Sequence, residues 1–311
     1  MKKNDIKRVI GKIESDKGIE YRLSKKIHKK QNRKGIFMPF LSIASIVILV
    51  CIGILGVNFF KKYDKPIDNT PDTPLHSANS AAISIPKLEL PNSSSSNAMF
   101  DMIGLIVYQG RIYTQTGTKI NPGSAENLIE EKLGTTKDNI NEWSKQDDYV
   151  EFASTIGVQD VYSVKGYDKN FRIMTNGELH NAQFYECLNG ITVKTGADIF
   201  NKLKIENNIK TAKYEAYESW NYSKQQYKEM GDLKTLNNFV GELKNTIPYK
   251  QESMPKMFED SENQKFIYIS LSDGSEVQLR LFKNGYIYYD SVPVFLKMEN
   301  KVFNELWDEL L

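Results

Sequence analysis

The side chains best suited to chemistry in this chain are few and scattered. Of three histidines, His28 falls in a lysine-rich stretch, His76 in a proline-rich one, and His180 beside a turn-like Asn176-Gly177. The two cysteines, Cys51 and Cys187, lie in regions of different character, and the body around Cys187 has no second cysteine to form a disulfide with it. No CxxC, HExxH, P-loop, EF-hand or GxSxG spacing occurs. Asp147-Asp148 is the most acidic pair of the loop regions, but adjacent carboxylates without further ligands make a solvated loop end rather than a cation cage. Glu178 and His180 have acid and base types, yet an isolated pair beside a turn reads as surface. Cys187, in an apolar strand pattern, reads as a small buried hydrophobe. No catalytic set, metal site or cofactor is expected. The one ligand-binding candidate is aromatic: Tyr214, Tyr217, Trp220 and Tyr222, with Tyr227 close behind. These rings suit the wall of a ligand groove and equally suit core and edge packing.

The elements that must position such residues begin near Met99. Phe100–Tyr108 and Arg111–Gln115 are strand-like around Gln109-Gly110, a hairpin signal. Ser124 is placed to cap a helix with Ala125, Leu128, Ile129 and Leu133 on one face and Gly134 at its end. Residues 139–158 are polar and loop-like. Val161–Val164 and Phe171–Met174 read as paired strands, as do Ala182–Leu188 and Ile191–Lys194 across Asn189-Gly190. Thr195 starts a helix carrying Ile199, Phe200 and Leu203. Beyond Lys210, Ala212, Tyr214, Ala216, Trp220 and Tyr222 alternate as in a strand, although Tyr214 and Tyr217 would also suit a helix. Asp232 caps an amphipathic helix with Leu233, Leu236, Phe239, Val240 and Leu243. Four strand runs follow, Lys265–Leu271, Glu276–Phe282, Tyr286–Asp290 and Val294–Met298, and a last helix carries Val302, Phe303, Leu306, Trp307 and Leu310. The expected fold class is α+β, antiparallel sheet with packed helices. The length of 98–311 permits one body or two lobes, 98–208 and 209–311.

Upstream, residues 36–60 contain no charged side chain. As a helix they would reach about 37 Å at about 1.5 Å per residue, more than the roughly 30 Å of a bilayer core. Pro39 sits in the first turn, where its missing N–H breaks no helical bond. The stretch is too long for a signal-peptide core and no small-x-small cleavage site follows it. A single membrane-spanning helix is the expectation, with Cys51 a buried thiol rather than a lipid anchor. Residues 1–35 carry 13 Lys+Arg against four carboxylates, net +9. With the whole chain at +2 and residues 36–60 uncharged, residues 61–311 carry −7. This asymmetry orients the N-terminus to the cytoplasm and the rest outside, placing the protein in the cell membrane as a single-pass, signal-anchored chain with an extracytoplasmic body. Residues 61–97, with five prolines and the run Asn92–Asn97, read as an extended, disordered linker.

The basic arm has helical periodicity. Ile6, Val9, Ile10 and Ile13 form one stripe, and Ile19, Leu23 and Ile27 a second, separated by Ser15–Gly18. Three readings are open: a docking face for a cytoplasmic protein, a helix pair lying on the lipid bilayer surface, or a charge cluster that only sets orientation. Nucleic acid is not an expected partner, because the arm lacks interleaved aromatics.

The arm NDIKRVIGKIESDKGIEYRL, with KLGTT at 132–136, NEWSKQDDYVEFAST at 141–155 and VYSVKGYDKNFRIM at 161–174, resembles a group of Gram-positive bacterial single-pass proteins. These are thought to act as anti-sigma factors or companions of extracytoplasmic-function sigma factors. The resemblance covers most of the chain. It implies a membrane-held regulator of transcription in which Ile6, Ile10, Ile13, Ile19, Leu23 and Ile27 hold a sigma factor while the outer body senses envelope state. His28 has no inner cysteines to build the zinc site of the zinc-binding anti-sigma class. The alternative is a membrane-tethered extracytoplasmic binding module for cell wall or protein, with the arm only an anchor. An enzyme is not expected.

Overall fold

Alternation of apolar side chains builds two antiparallel sheets in the C-terminal part of the chain. The computed structural model describes residues 82–88, 103–141, 144–177 and 182–310, all within one unit, Ser42–Leu311.

The six-stranded sheet runs β2 (Leu105–Tyr108), β3 (Arg111–Gln115), β8 (Ala182–Glu186), β7 (Arg172–Asn176), β6 (Asp160–Val164), β5 (Ile129–Thr135). β2 and β3 pair as expected across Gln109-Gly110, where Tyr108 faces Arg111. Both turn residues have positive φ, 50° and 67°, the mirror-image turn that matches strand twist.

The eight-stranded sheet follows the order β11 (Lys228–Glu229), β10 (Ile209–Ala216), β13 (Gln264–Leu271), β14 (Ser275–Phe282), β15 (Tyr286–Tyr288), β16 (Val294–Lys297), β12 (Ile247–Lys250). β4 (Lys119–Ile120) adds to the start of β14. A separate pair joins β1 (Ile83–Ile85) to β9 (Ile191–Val193).

The inward positions of β13 and β14, Ile267, Ile269, Leu271, Val277, Leu279 and Leu281, are buried in the main core. Over them pack α2 (Ala197–Leu203), α4 (Lys234–Glu242) and α5 (Asn300–Glu309) through Ile199, Phe200, Leu236, Phe239, Phe303, Leu306 and Trp307. Asp232 accepts the Lys234 N–H at 2.9 Å, close to the expected start of α4. The same core takes in Val164, Met174 and Phe184 of the six-stranded sheet and Ile83 and Ile85 of β1, so it is continuous across residues 208 and 209.

Three local expectations are corrected. The helix from Ser124 stops after one turn, α1 (Ala125–Leu128), and its sequel becomes β5. β6 needs a hydrogen-bonding neighbour on that side, and β5 meets it with two register shifts. At Gly134 the Phe152 ring lies 2.3 Å from where a Cβ would stand, so glycine serves ring packing rather than a helix cap. Asn189-Gly190 turns the chain but makes no hairpin. Both edges of β8 are occupied by β3 and β7, so β9 turns away to pair with β1. Trp220 and Tyr222 do not continue β10; the chain bends into α3 (Tyr217–Asn221).

The fold class is corrected as well. In place of the expected α+β body of antiparallel sheet with packed helices, the described body is dominated by sheet, sixteen strands in three sheets, and its longest helix has ten residues. Buried strand–strand pairing supplies most of its order, with short helices closing one sheet face. No helix among the described residues is long and apolar enough to cross a membrane. The single-pass, signal-anchored placement in the cell membrane therefore has no support in the structure. Residues 36–60, on which that expectation rested, lie outside the described residues, as do residues 1–35 and the histidines.

Candidate functional site

The outward positions of the eight-stranded sheet carry polar and aromatic side chains in alternation. They are Lys213 and Glu215 on β10; Gln264, Phe266, Tyr268 and Ser270 on β13; Glu276, Gln278, Arg280 and Phe282 on β14. The period-2 pattern places all of them on the face away from the main core. α3 and a run of short turns, Gln251–Ser253, Pro255–Phe258 and Ser261–Asn263, cover part of this face.

Arg280 is its centre. Only 6% exposed, it is surrounded by rings: Phe258 at 4.7 Å from the guanidinium carbon, Phe266 at 5.2, Trp220 at 5.3, Phe282 at 5.5 and Tyr217 at 5.7 Å. Trp220 lies flat on Phe266, with centroids 4.2 Å apart. Among the described residues the sole acceptor for Arg280 is Gln264 Oε1, which receives Nε at 2.7 Å and also Nη2. The Gln264 amide in turn donates to the carbonyls of Met257, Phe258 and Asp260, fastening the covering turns to the sheet. No carboxylate among the described residues pairs with Arg280. Burial pulls its pKa down to about 10, and Tyr217 and Tyr288 offset part of that fall.

Beside it lies a carboxylate cluster. Tyr268 and Ser219 both donate to Glu215, and Lys213 meets Glu276 at 3.2 Å while reaching over the Tyr227 ring at 4.6 Å. Burial, then Glu215, pushes the Tyr268 phenol far above its ordinary value, which keeps it a donor. Ser219 Oγ also accepts the Gln226 N–H at 2.8 Å, so its hydroxyl is used on both sides. Both Glu215 oxygens thus accept a hydroxyl donor within the cluster.

The four aromatic candidates separate. Tyr214 faces inward and is buried in the main core. Tyr217 and Trp220 wall Arg280 on the opposite face. Tyr222 is 67% exposed, with Lys224 5.3 Å from its ring. The partner-binding residues Ile6, Ile10, Ile13, Ile19, Leu23 and Ile27 lie outside the described residues, as do Glu178 and His180. Asp148 accepts the Lys145 N–H in a short loop turn, and no group of three metal-ligating side chains occurs among the described residues. The sequence reading missed Arg280 and Gln264. The available signal was a lone arginine at an outward position of a strand whose cross-strand partner is Phe266.

A second buried guanidinium lies where the two sheets meet. Arg172 donates to Glu186 Oε1 from Nε at 3.0 Å and from Nη2 at 2.5 Å, with both side chains inaccessible. Tyr289 donates to Glu186 Oε2 at 2.7 Å and lies within 2.9 Å of the Thr116 hydroxyl and 2.8 Å of that of Thr118. Nη1 has no hydrogen-bond partner, but the guanidinium carbon sits 4.4 Å from the Tyr167 ring and 4.7 Å from that of Phe184. Burial opposes the Arg172 charge, yet Glu186 prevails and raises its pKa. Next to this network Asp290 packs so closely on Gly117 that a Cβ there would lie 2.3 Å from its Oδ2. Burial first, then Glu186, pushes Asp290 up to about 6.

One open depression of about 550 Å³ is lined by Asn121, Ser124, Asn127, Lys165, Lys210 and the Ser272–Gly274 turn. Its lysines are exposed, and Asp273 is already engaged by the Tyr167 hydroxyl at 2.7 Å and by Ser275.

No family model, curated protein or solved structure matches this chain.

Proposed function

We propose that the described body is a non-catalytic binding module of a regulatory protein, and that the outer face of the eight-stranded sheet receives a protein partner. The observation that carries this reading is the asymmetry of that sheet. Three helices close its inner face, while the outer side presents Tyr222, Tyr227 and Tyr249 at 67%, 37% and 39% exposure. Tyr227 stands edge-on to Tyr268, and Tyr249 to Tyr286, so two of these rings are held by the sheet's own aromatic residues. Pre-positioned tyrosines offer large contact area at small entropic cost, the composition of protein-binding surfaces.

The test is photo-crosslinking of the full chain in its host, with a benzophenone side chain at Tyr222 or Tyr249 and, as control, at Val158. Val158 is 69% exposed and lies in the loop before β6. One protein adduct shared by the two tyrosine positions and lacking at Val158 supports the face. Equal labelling from Val158, or no adduct at either tyrosine, removes it.

A second reading rests on the apolar stripes of residues 1–35 and on the resemblance to anti-sigma factors. In it, Ile6, Ile10, Ile13, Ile19, Leu23 and Ile27 hold a sigma factor by laying an amphipathic helix face into a groove. Co-purification of a host sigma factor with the native full chain, lost in Ile6→Asp/Leu23→Asp, is the expected result. Recovery of the same proteins with both chains would end this reading.

A further inference from the structure

We infer that Arg280 is the recognition point for a carboxylate, supplied by an aspartate or glutamate side chain of the protein partner on the outer sheet face. This deepens the reading of that face as a binding surface and rests on it.

Removing a guanidinium from water is costly unless a counter-charge accompanies it, and buried charges in folded proteins are accordingly paired. Arg172 obeys this rule through Glu186. Arg280, 6% exposed, has an amide oxygen where Arg172 has a carboxylate. Its Nε and Nη2 converge on that one oxygen, and Nη1 hydrogen-bonds to no described residue. Nor does Nη1 belong to the fully enclosed unpaired atoms, which among the described residues are Arg172 Nη1 and Thr175 Oγ1, so it keeps access to solvent. The structure thus leaves one charged donor without a partner among the described residues, on a guanidinium walled by Trp220 and Tyr217 of α3 and Phe258 of the covering turns.

That remaining donor selects its ligand. A single free nitrogen with two N–H bonds, flanked by flat rings, suits a planar, singly charged carboxylate. A phosphate dianion would need several more donors than this cleft offers. The aromatic walls lower the local dielectric, so a charge-assisted bond formed there is stronger than the same bond on an open surface. The neighbouring Lys213–Glu276 pair is neutral and Glu215 is held by the hydroxyls of Tyr268 and Ser219, which leaves Arg280 the cation without an ion pair among the described residues of this part of the face.

The experiment follows the arginine Nε–H and tryptophan indole N–H resonances of the ¹⁵N-labelled full chain. The probes are a blocked tetraglutamate peptide, its tetraglutamine counterpart, and acetate. Saturable shifts of the Arg280 and Trp220 signals with tetraglutamate alone are expected, with affinity about tenfold weaker in Arg280→Lys, which retains charge but loses the planar fork. Arg280→Met, which keeps the apolar stem and loses the charge, should abolish the response, and core amide resonances of β13 and β14 that match the native chain certify the fold of both variants. The inference falls if tetraglutamine acts equally, if no saturable shift occurs, or if both variants respond like the native chain. A response to acetate as strong as to tetraglutamate would assign the cleft to free acids and overturn the protein-side-chain source. Crosslinks from Tyr222 and Tyr249 together with a silent Arg280 would leave the binding face standing and remove only the carboxylate.

Discussion

Arg172 and Arg280 each project from a strand into a ring of aromatic side chains, yet the two sheets treat their charges differently. On the six-stranded sheet Arg172 faces its cross-strand neighbour Glu186, and Tyr289 reaches over from the other sheet to complete the carboxylate. The charge is neutralised internally and its pKa is raised. On the eight-stranded sheet Arg280 meets only the amide of Gln264, and burial lowers its pKa to about 10. An arginine walled by rings is thus no function in itself. A complete ion pair settles the charge within one sheet and lets Tyr289 fasten the other sheet to it, whereas an incomplete one leaves a charge that a ligand can satisfy.

The contrast breaks most severely at Glu186. Glu186→Gln keeps the shape but leaves Arg172 without its counter-charge, at an expected cost of about 3–5 kcal/mol. Denaturant unfolding would show it as a large drop in midpoint. Gln264→Ala removes the acceptor of a guanidinium that has no ion pair to lose, and should cost less, about 2–3 kcal/mol. A loss equal to or larger than that at Glu186 would mean that Arg280 depends on its amide as fully as Arg172 depends on its carboxylate. Tyr289→Phe deletes one phenol from the inter-sheet network and should cost about 1–1.5 kcal/mol. It would leave the carboxylate response of Arg280 unchanged, because the Tyr289 hydroxyl serves Glu186, Thr116 and Thr118.

A separate effect concerns pH. Asp290 titrates near 6 in the folded chain against an ordinary 3.8, so the folded state holds this proton more tightly. Its contribution to stability is present below about pH 4 and is lost as pH rises through about 6. Asp290→Asn should remove that part of the slope and raise stability at neutral pH relative to the native chain. Urea unfolding at several pH values from 4 to 7 reads it directly. A native slope unchanged in the variant would show that burial and Glu186 do not hold this proton on Asp290 in the folded chain.

Much of the strand pattern was legible because it rests on local physics. Alternation along 265–271 and 276–282, the turn chemistry of Gln109-Gly110, and the apolar stripes of α4 and α5 report burial within a few residues of themselves. The failures share one cause. Ile129–Leu133 has a helix-compatible apolar spacing, but β6 required an edge neighbour. Asn189-Gly190 has hairpin chemistry, but the strand before it was already paired on both sides. In each case distant strands claimed the backbone hydrogen bonds, and no local pattern announces such a claim. The sheet-rich character of the body, where an α+β body of antiparallel sheet with packed helices was expected, comes from the same source.

What the sequence by itself determined was the set of apolar and aromatic alternations, and so which residues of each strand share a face. It also determined the absence of familiar catalytic spacings. Only the tertiary structure decided that Tyr214 turns inward while Trp220 and Tyr217 wall a guanidinium, that Glu186 and not Gln264 carries the counter-charge, and that α3 and short turns, not the longer helices, cover part of the outer sheet face. Those outcomes depend on which strands become neighbours. A carboxylate or an amide fourteen or sixteen residues from an arginine becomes its partner only when pairing register brings the two side chains to the same spot.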